Sequence, residues 1–319
     1  MPEPTRILLW TDAPGPYLDA IAAAQLTGRV AVEALARKDT PTQAQRADTE
    51  AMLAWGAPPG LLPQMPKLRW AQALTAGVEG WLALPDLPPA LTLTCARGTH
   101  RESMAENIMG ALFHLTKPYP AIVEDQKHSK WTRRLATPLA GQTLGILGLG
   151  VIGQQVAQIA ATIGMRVIGT KRRAAEVTGV AEVMPPEQTD QVLGQSDFVL
   201  LLLPATPETE NFMNARRLAR MKPGAWLLNF GRGHLIADAD LIAAVQAKRI
   251  AGAILDVFRQ EPLPVEHPFW TTAGIVVLPH IGGGHPQRDT VVARLFADNL
   301  ARFLDDRPLR EVVDRAVGY

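Results

Sequence analysis

Cysteine is all but absent from this chain: Cys95 stands alone among 319 residues. One thiol excludes an intrachain disulfide framework and a cysteine-rich metal centre, and it suits a reducing compartment. Neither sign of charge prevails, since 32 basic and 31 acidic residues leave a net charge of +1. With no global field to hold nucleic acid or a membrane surface, neither is expected as a partner. Long hydrophobic runs are missing too. The longest, 198–203, falls far below a bilayer span and reads as a buried parallel strand. The apolar run 7–10 after Met1-Pro2-Glu3-Pro4 is too short for a signal peptide, so a cytoplasmic location is expected. His100, His114, His128, His234, His267 and His285 are scattered along the chain, and no metal site is expected. There is no internal repeat, low-complexity tract or long block of one charge.

What is present is the material of two full α/β cores. The length suits two domains, and 47% hydrophobic residues can fill them. The organising stretch is Leu144-Gly145-Ile146-Leu147-Gly148-Leu149-Gly150-Val151-Ile152-Gly153. It reads as a buried strand, a glycine turn and the start of a helix. Gly148, Gly150 and Gly153 have the G-x-G-x-x-G spacing. The first permits a tight turn, the second close approach of a pyrophosphate, the third close helix–strand packing. The helix start then offers free N–H groups and the positive end of its dipole to phosphates. Any glycine-rich strand-to-helix turn could look similar, but the context is complete. A helix of alanines and aliphatics runs to Ile163, and Met165-Arg166-Val167-Ile168-Gly169 supplies the next strand.

Ahead of that unit, strands are expected at 6–10, 30–35, 51–55, 68–74 and 91–94, with a helix over 17–26. Alternating strands and helices make this portion a small α/β domain with a parallel sheet. Met104, Ile108, Leu112 and Leu115 recur at helical spacing over 103–115, with Ser103 and Glu106 placed for a capping box. This helix is taken as the crossing into the second domain. There, strands are expected near 144–148, 166–170, 198–203, 225–229, 253–257 and 275–279, with a helix over 238–248 among the connections. After His280, three glycines break the pattern. A last helix over 288–303 returns to the first domain, where the tail 305–319 would pack. The fold class is therefore α/β: a dinucleotide-binding domain, 103–284, inserted into a smaller parallel-sheet domain of 1–102 and 285–319.

Three later signals follow in order: Asn229-Phe230-Gly231-Arg232-Gly233; Ile254-Leu255-Asp256-Val257-Phe258-Arg259-Gln260-Glu261-Pro262; and His267-Pro268-Phe269-Trp270 with Val277-Leu278-Pro279-His280-Ile281-Gly282-Gly283. With the glycine turn, Arg97-Gly98 and the loop 75–78, the set resembles the D-isomer-specific 2-hydroxyacid dehydrogenases. Trp55-Gly56-Ala57-Pro58-Pro59 and Lys171-Arg172-Arg173 are similar to the glyoxylate/hydroxypyruvate reductase branch. The resemblance implies a Rossmann domain inserted into a flavodoxin-like substrate domain, an active-site cleft between the two, a nicotinamide cofactor and a homodimer. The dimer would form through the cofactor domain, with Trp131 near the contact.

The same resemblance implies the site. Arg232, Glu261 and His280 match the family's catalytic set. Arginine can grip a carboxylate with two prongs, and histidine can give a proton to a carbonyl oxygen as hydride arrives. Glu261 would accept a bond from the imidazole and orient it. Each has an ordinary explanation in isolation: a strand-end histidine, a solvated loop carboxylate, a turn arginine. Ala76, Gly77 and Val78 match a loop whose N–H groups cradle the substrate carboxylate, although Gly77 would suit any turn. Trp55 matches a ring that closes the substrate pocket; the alternative is a core residue of the small domain. Gly148, Gly150, Val151, Ile152, Gly153, Leu203, Pro204 and Asp256 are the cofactor residues, together with Lys171, Arg172 and Arg173. Lys171 stands where an NAD-dependent relative carries a carboxylate for the ribose, so NADP is expected over NAD. Arg97 matches a family arginine whose contact the sequence leaves open, and Cys95 reads as a plain buried cysteine. The function implied is NADPH-dependent reduction of small 2-keto acids, glyoxylate and hydroxypyruvate first. The alternatives are a dehydrogenase of another D-2-hydroxy acid and a dinucleotide-sensing binding protein of the same fold.

Overall fold

The computed structural model describes residues 3–173, 175–316 and 318. Met1, Pro2, Val317 and Tyr319, which fall in the leading run and tail discussed above, and Ala174 lie outside the described residues. The chain divides into two compact units, Met1–Thr99 with His285–Tyr319, and His100–Gly284.

The first unit is built on β1 (Thr5–Trp10), β2 (Val30–Leu35), β3 (Ala51–Ala54), β4 (Trp70–Ala73) and β5 (Thr92–Thr94). They form one parallel sheet in the order β2-β1-β3-β4-β5. The central strands β1 and β3 are covered on both faces, so their buried residues form apolar runs and successive residues serve opposite cores. Ile7, Leu9 and Leu53 pack on one side with Tyr17, Trp70 and Phe296; Leu8, Trp10 and Met52 pack on the other with Leu62 and Trp81. The strand order reverses at β1. That reversal opens a crevice at the carboxyl ends of β1 and β3.

The second unit carries β6 (Thr143–Leu147), β7 (Arg166–Thr170), β8 (Glu182–Met184), β9 (Phe198–Leu201), β10 (Trp226–Asn229), β11 (Gly252–Leu255) and β12 (Ile275–Val277). All pair in parallel in the order β12-β11-β10-β9-β6-β7-β8, the doubly wound arrangement with its reversal at β6. Alternation recurs here: Val199 and Leu201 face one core, Phe198 and Leu200 the other. Six strands were expected and seven are present among the described residues. The added β8 is three residues long, too short for its periodicity to register.

One expectation fails. The helix begins at Arg101 rather than after Ser103, its N-cap is His100, and no side chain caps it. Ser103 lies inside the first turn. Its Oγ donates to the carbonyl of Gly284 (3.1 Å), while Asn107 Nδ2 donates to that of Gly282 (3.0 Å). Ser103 therefore helps to hold the loop after β12 rather than to start the helix. Among the described residues no helix is long and apolar enough to cross a membrane.

Candidate active site

In the second unit the candidate residues gather at the carboxyl ends of the strands. The glycine turn follows β6, at the reversal point. Gly148 has φ +108°, and a Cβ there would lie 2.8 Å from the Leu202 carbonyl oxygen. A Cβ on Gly153 would lie 2.5 Å from the Gly148 carbonyl oxygen, so only glycine lets the helix Val151–Thr162 close on the turn. At Gly150 a Cβ would meet nothing within 4 Å. That open face lies at the N-cap of the helix, where no side chain occupies the first-turn N–H groups of Val151, Ile152 and Gly153. The cradle fits a dinucleotide's pyrophosphate. Lys171, just past β7, donates from Nζ to the Leu149 carbonyl (3.0 Å), which brings its charge onto the same turn. Arg172 and Arg173 follow on the exposed side. Leu203 and Pro204 continue from β9, and a Cβ on Gly231 would lie 2.9 Å from the Leu203 carbonyl oxygen.

Arg232, Glu261 and His280 come from the ends of three neighbouring strands. After β10, Asn229 is fully buried. It accepts from Gly231 N–H (3.1 Å) and donates to the Arg232 carbonyl (2.9 Å), tying the turn that presents Arg232. Arg232 Nη1 donates to the Gly231 carbonyl (2.8 Å). A Cβ on Gly233 would overlap the Phe258 backbone, so this turn lies flat against the segment after β11. From that segment Glu261 accepts the Phe258 N–H (2.9 Å) through Oε1. Its Oε2 meets His280 Nδ1 at 2.6 Å. Among the described residues the other imidazole nitrogen, Nε2, has no partner.

His280 has φ +53°, a left-handed conformation unusual for a non-glycine residue and common at functional turns. What holds it is Asp256. That carboxylate, 1% exposed, accepts the N–H of Ile281 (2.8 Å) and of Gly282 (2.9 Å). Burial pushes the Asp256 carboxyl above the usual aspartate range, against the pull of those two donors. Sequence reasoning assigned Asp256 to the cofactor and missed this grip on the histidine loop. Nothing in the order of residues signals that one carboxylate reaches two consecutive amides across a strand pair.

In the first unit, Trp55 follows β3 and the loop 75–78 follows β4. Thr75 Oγ1 donates to the Gly77 carbonyl (2.6 Å), and Val78 is buried. Among the described residues no acceptor meets the backbone N–H of Ala76, Gly77 or Val78. Three consecutive free donors suit a carboxylate. Trp55 is 36% exposed and is not a core residue. The Arg288 guanidinium lies 4.5 Å from its ring centroid and also donates to the Leu74 carbonyl, so the ring and the loop are tied at one point. Arg97 pairs with Glu311 at 3.6 Å. Cys95 is buried, and burial pushes its thiol up. Among the described residues no cluster of His, Cys, Asp or Glu is placed to hold a metal ion.

The model of the D-isomer-specific 2-hydroxyacid dehydrogenase NAD-binding domain matches residues 109–282. A glyoxylate/hydroxypyruvate reductase B from Citrobacter koseri is 32% identical over 267 residues, covering 81% of this chain and 82% of the relative. A glyoxylate/hydroxypyruvate reductase A from Serratia proteamaculans is 32% identical over 84% of this chain and 87% of its own. Among solved structures, a D-isomer-specific 2-hydroxyacid dehydrogenase family protein from Aeromonas salmonicida superposes with TM-score 0.87 and 32% identity, covering 98% of this chain and all of that one. An NADPH-dependent glyoxylate/hydroxypyruvate reductase from Sinorhizobium meliloti, in complex with NADP and sulfate, gives 0.85 and 30%, covering 99% of this chain and all of its own. A nicotinamide dinucleotide is thus the cofactor class, and the chain belongs to the D-isomer-specific 2-hydroxyacid dehydrogenase family.

Proposed function

We propose that the chain reduces small 2-keto acids, glyoxylate and hydroxypyruvate ahead of others, with NADPH as the preferred reductant. The observation that carries the reading is the 2.6 Å contact of Glu261 with His280 Nδ1, which leaves Nε2 as the reacting nitrogen. When bound, the reduced nicotinamide supplies the hydride. Arg232 holds the substrate carboxylate and polarises the adjacent carbonyl. His280 delivers a proton from Nε2 to the carbonyl oxygen as it becomes a hydroxyl. Glu261 fixes the orientation of the ring through its contact with Nδ1. The free N–H groups of Ala76, Gly77 and Val78 take the second side of the carboxylate, and Trp55 limits the space beyond the carbonyl. The glycine turn, Leu203 and Pro204 bind the dinucleotide, with Asp256 acting through the loop it holds. Lys171, Arg172 and Arg173 meet the 2′-phosphate. Residues 1–102 and 285–319 form the substrate domain and 103–284 the cofactor domain, in a cytoplasmic homodimer.

The test is direct. Purified protein is mixed with glyoxylate and either reduced cofactor, and nicotinamide absorbance is followed; kcat/KM is then compared for glyoxylate, hydroxypyruvate, pyruvate and 2-ketoisocaproate. Glyoxylate and hydroxypyruvate should lead. An indole N–H that serves a hydroxyl separates hydroxypyruvate from pyruvate by more than the roughly 1–3 kcal/mol of a methylene. Trp55→Ala should erase that separation. A winning branched acid would refute the pocket, and cofactor binding without turnover of any acid would favour the dinucleotide-sensing alternative.

A further inference from the structure

The crevice at the β1/β3 reversal holds a feature that the reduction above does not use. Such reversal points are where open parallel sheets bind ligands. Here a depression of about 290 Å³ is lined by Trp10, Arg37, Trp55 and residues 56–58. Trp10 Nε1 already donates to the carbonyls of Ala36 and Asp39, at 3.1 Å each, so the ring offers only its apolar surface. The one charged lining group is Arg37, whose guanidinium lies 5.0 Å from the Trp55 ring centroid. Arg288 approaches the same ring at 4.5 Å. Two cations against one indole repel each other, and the two are not equally compensated. Arg288 pairs with Asp289 at 2.5 Å and donates to the Leu74 carbonyl. Arg37 has no carboxylate on its guanidinium among the described residues; the nearby Asp12 accepts its backbone N–H instead (2.8 Å). A hollow walled by two indole rings, with one uncompensated guanidinium, fits a short carbon chain ending in an anion.

We propose that this crevice is a subsite for a second anionic group, so that 2-keto dicarboxylates bind with their distal carboxylate on Arg37. The proposal rests on the reading that Trp55 stands at the side-chain end of the substrate pocket. The chemistry is unchanged: hydride goes to the keto carbon, a proton to its oxygen, and the distal carboxylate takes no part.

The matched pair that isolates the distal charge is oxaloacetate and 2-ketobutyrate, in which a carboxylate replaces a methyl on the same chain. With the parent enzyme and NADPH, kcat/KM for oxaloacetate should exceed that for 2-ketobutyrate by about tenfold or more, the scale of one charged hydrogen bond. In Arg37→Met the ratio should collapse toward one, and in Arg37→Lys much of it should return. The ratio is taken within each variant, so a general loss of activity cancels. A parent ratio near one, or a ratio that survives Arg37→Met, overturns the subsite. Binding is read separately, without turnover, as a change of indole fluorescence on adding malonate. The change should be saturable and lost in both Arg37→Met and Trp55→Phe; a signal absent from the parent or unchanged in Arg37→Met also overturns it. If neither keto acid nor glyoxylate is reduced while malonate still binds through Arg37, the reduction reading fails and the anion site stands.

Discussion

A histidine engaged by a carboxylate at Nδ1 has one nitrogen left for chemistry, and His280 is in that state. If Nε2 delivers the proton, His280→Ala should lower kcat by about 10²–10⁴-fold while NADPH binding, measured by fluorescence titration, survives. A variant that keeps most of its turnover would remove His280 from the mechanism. Asp256 acts one step away, by holding the two amides that follow His280. Its raised pKa means that the folded state keeps the proton more tightly than the unfolded chain. Stability relative to Asp256→Asn should therefore fall as pH rises from the ordinary aspartate value through the higher folded one, then level off. Thermal unfolding of both proteins from the acid range to neutrality checks the sign. A difference that rises with pH, or stays flat, would contradict the assignment.

At the scale of elements, most strands could be read from sequence because parallel strands buried on both faces are uninterrupted apolar runs bounded by turn residues. The limits of that reading are equally physical. β8 is only three residues long, and the Ser103–Glu106 pattern looks like a helix start but lies inside a helix begun two residues earlier. The glycine turn and the ordered motifs brought forward the residues that meet at the strand ends. The contacts that fix those ends lie outside any motif: Asn107 on the Gly282 carbonyl, and Arg37 and Arg288 on Trp55. They join segments far apart in the chain, and neither spacing nor composition records such meetings. Lys171 shows what the structure adds to a legible signal. Its ammonium is anchored on the Leu149 carbonyl, so the charge is held at the end of β7 rather than left to swing in solvent. NADPH should therefore give the higher kcat/KM. Lys171→Ala should narrow the ratio to NADH mainly through KM, because a charge contact with the 2′-phosphate is made in ground state and transition state alike. Equal or better use of NADH by the parent would defeat this.

For the whole molecule, the distribution of apolar surface bears on assembly. Tyr119, Ile122, Val123, Trp131 and Leu135 are exposed within one stretch of the second unit, Trp131 fully and Leu135 at 90%. Scattered apolar side chains on a surface are ordinary, but a tryptophan with its whole ring in water is not, and clustering marks an interaction surface. The helix Tyr119–Lys127 has no buried residue, which leaves it without a core to fold against unless something covers it. A second copy of the chain would supply such a cover, and closed twofold pairing would let the same patch serve both sides. We expect a homodimer at micromolar concentration, measured by light scattering. Charge placed in the patch should weaken it: Trp131→Glu shifts the population toward monomer, and loss of the buried ring costs on the order of 2–4 kcal/mol of association if it is a central anchor. Because the ring touches no core, the variant should still fold, losing from its far-ultraviolet circular dichroism at most the helix Tyr119–Lys127. A monomeric parent, or a dimer indifferent to Trp131→Glu, would place the contact elsewhere and leave the exposed stretch without this explanation.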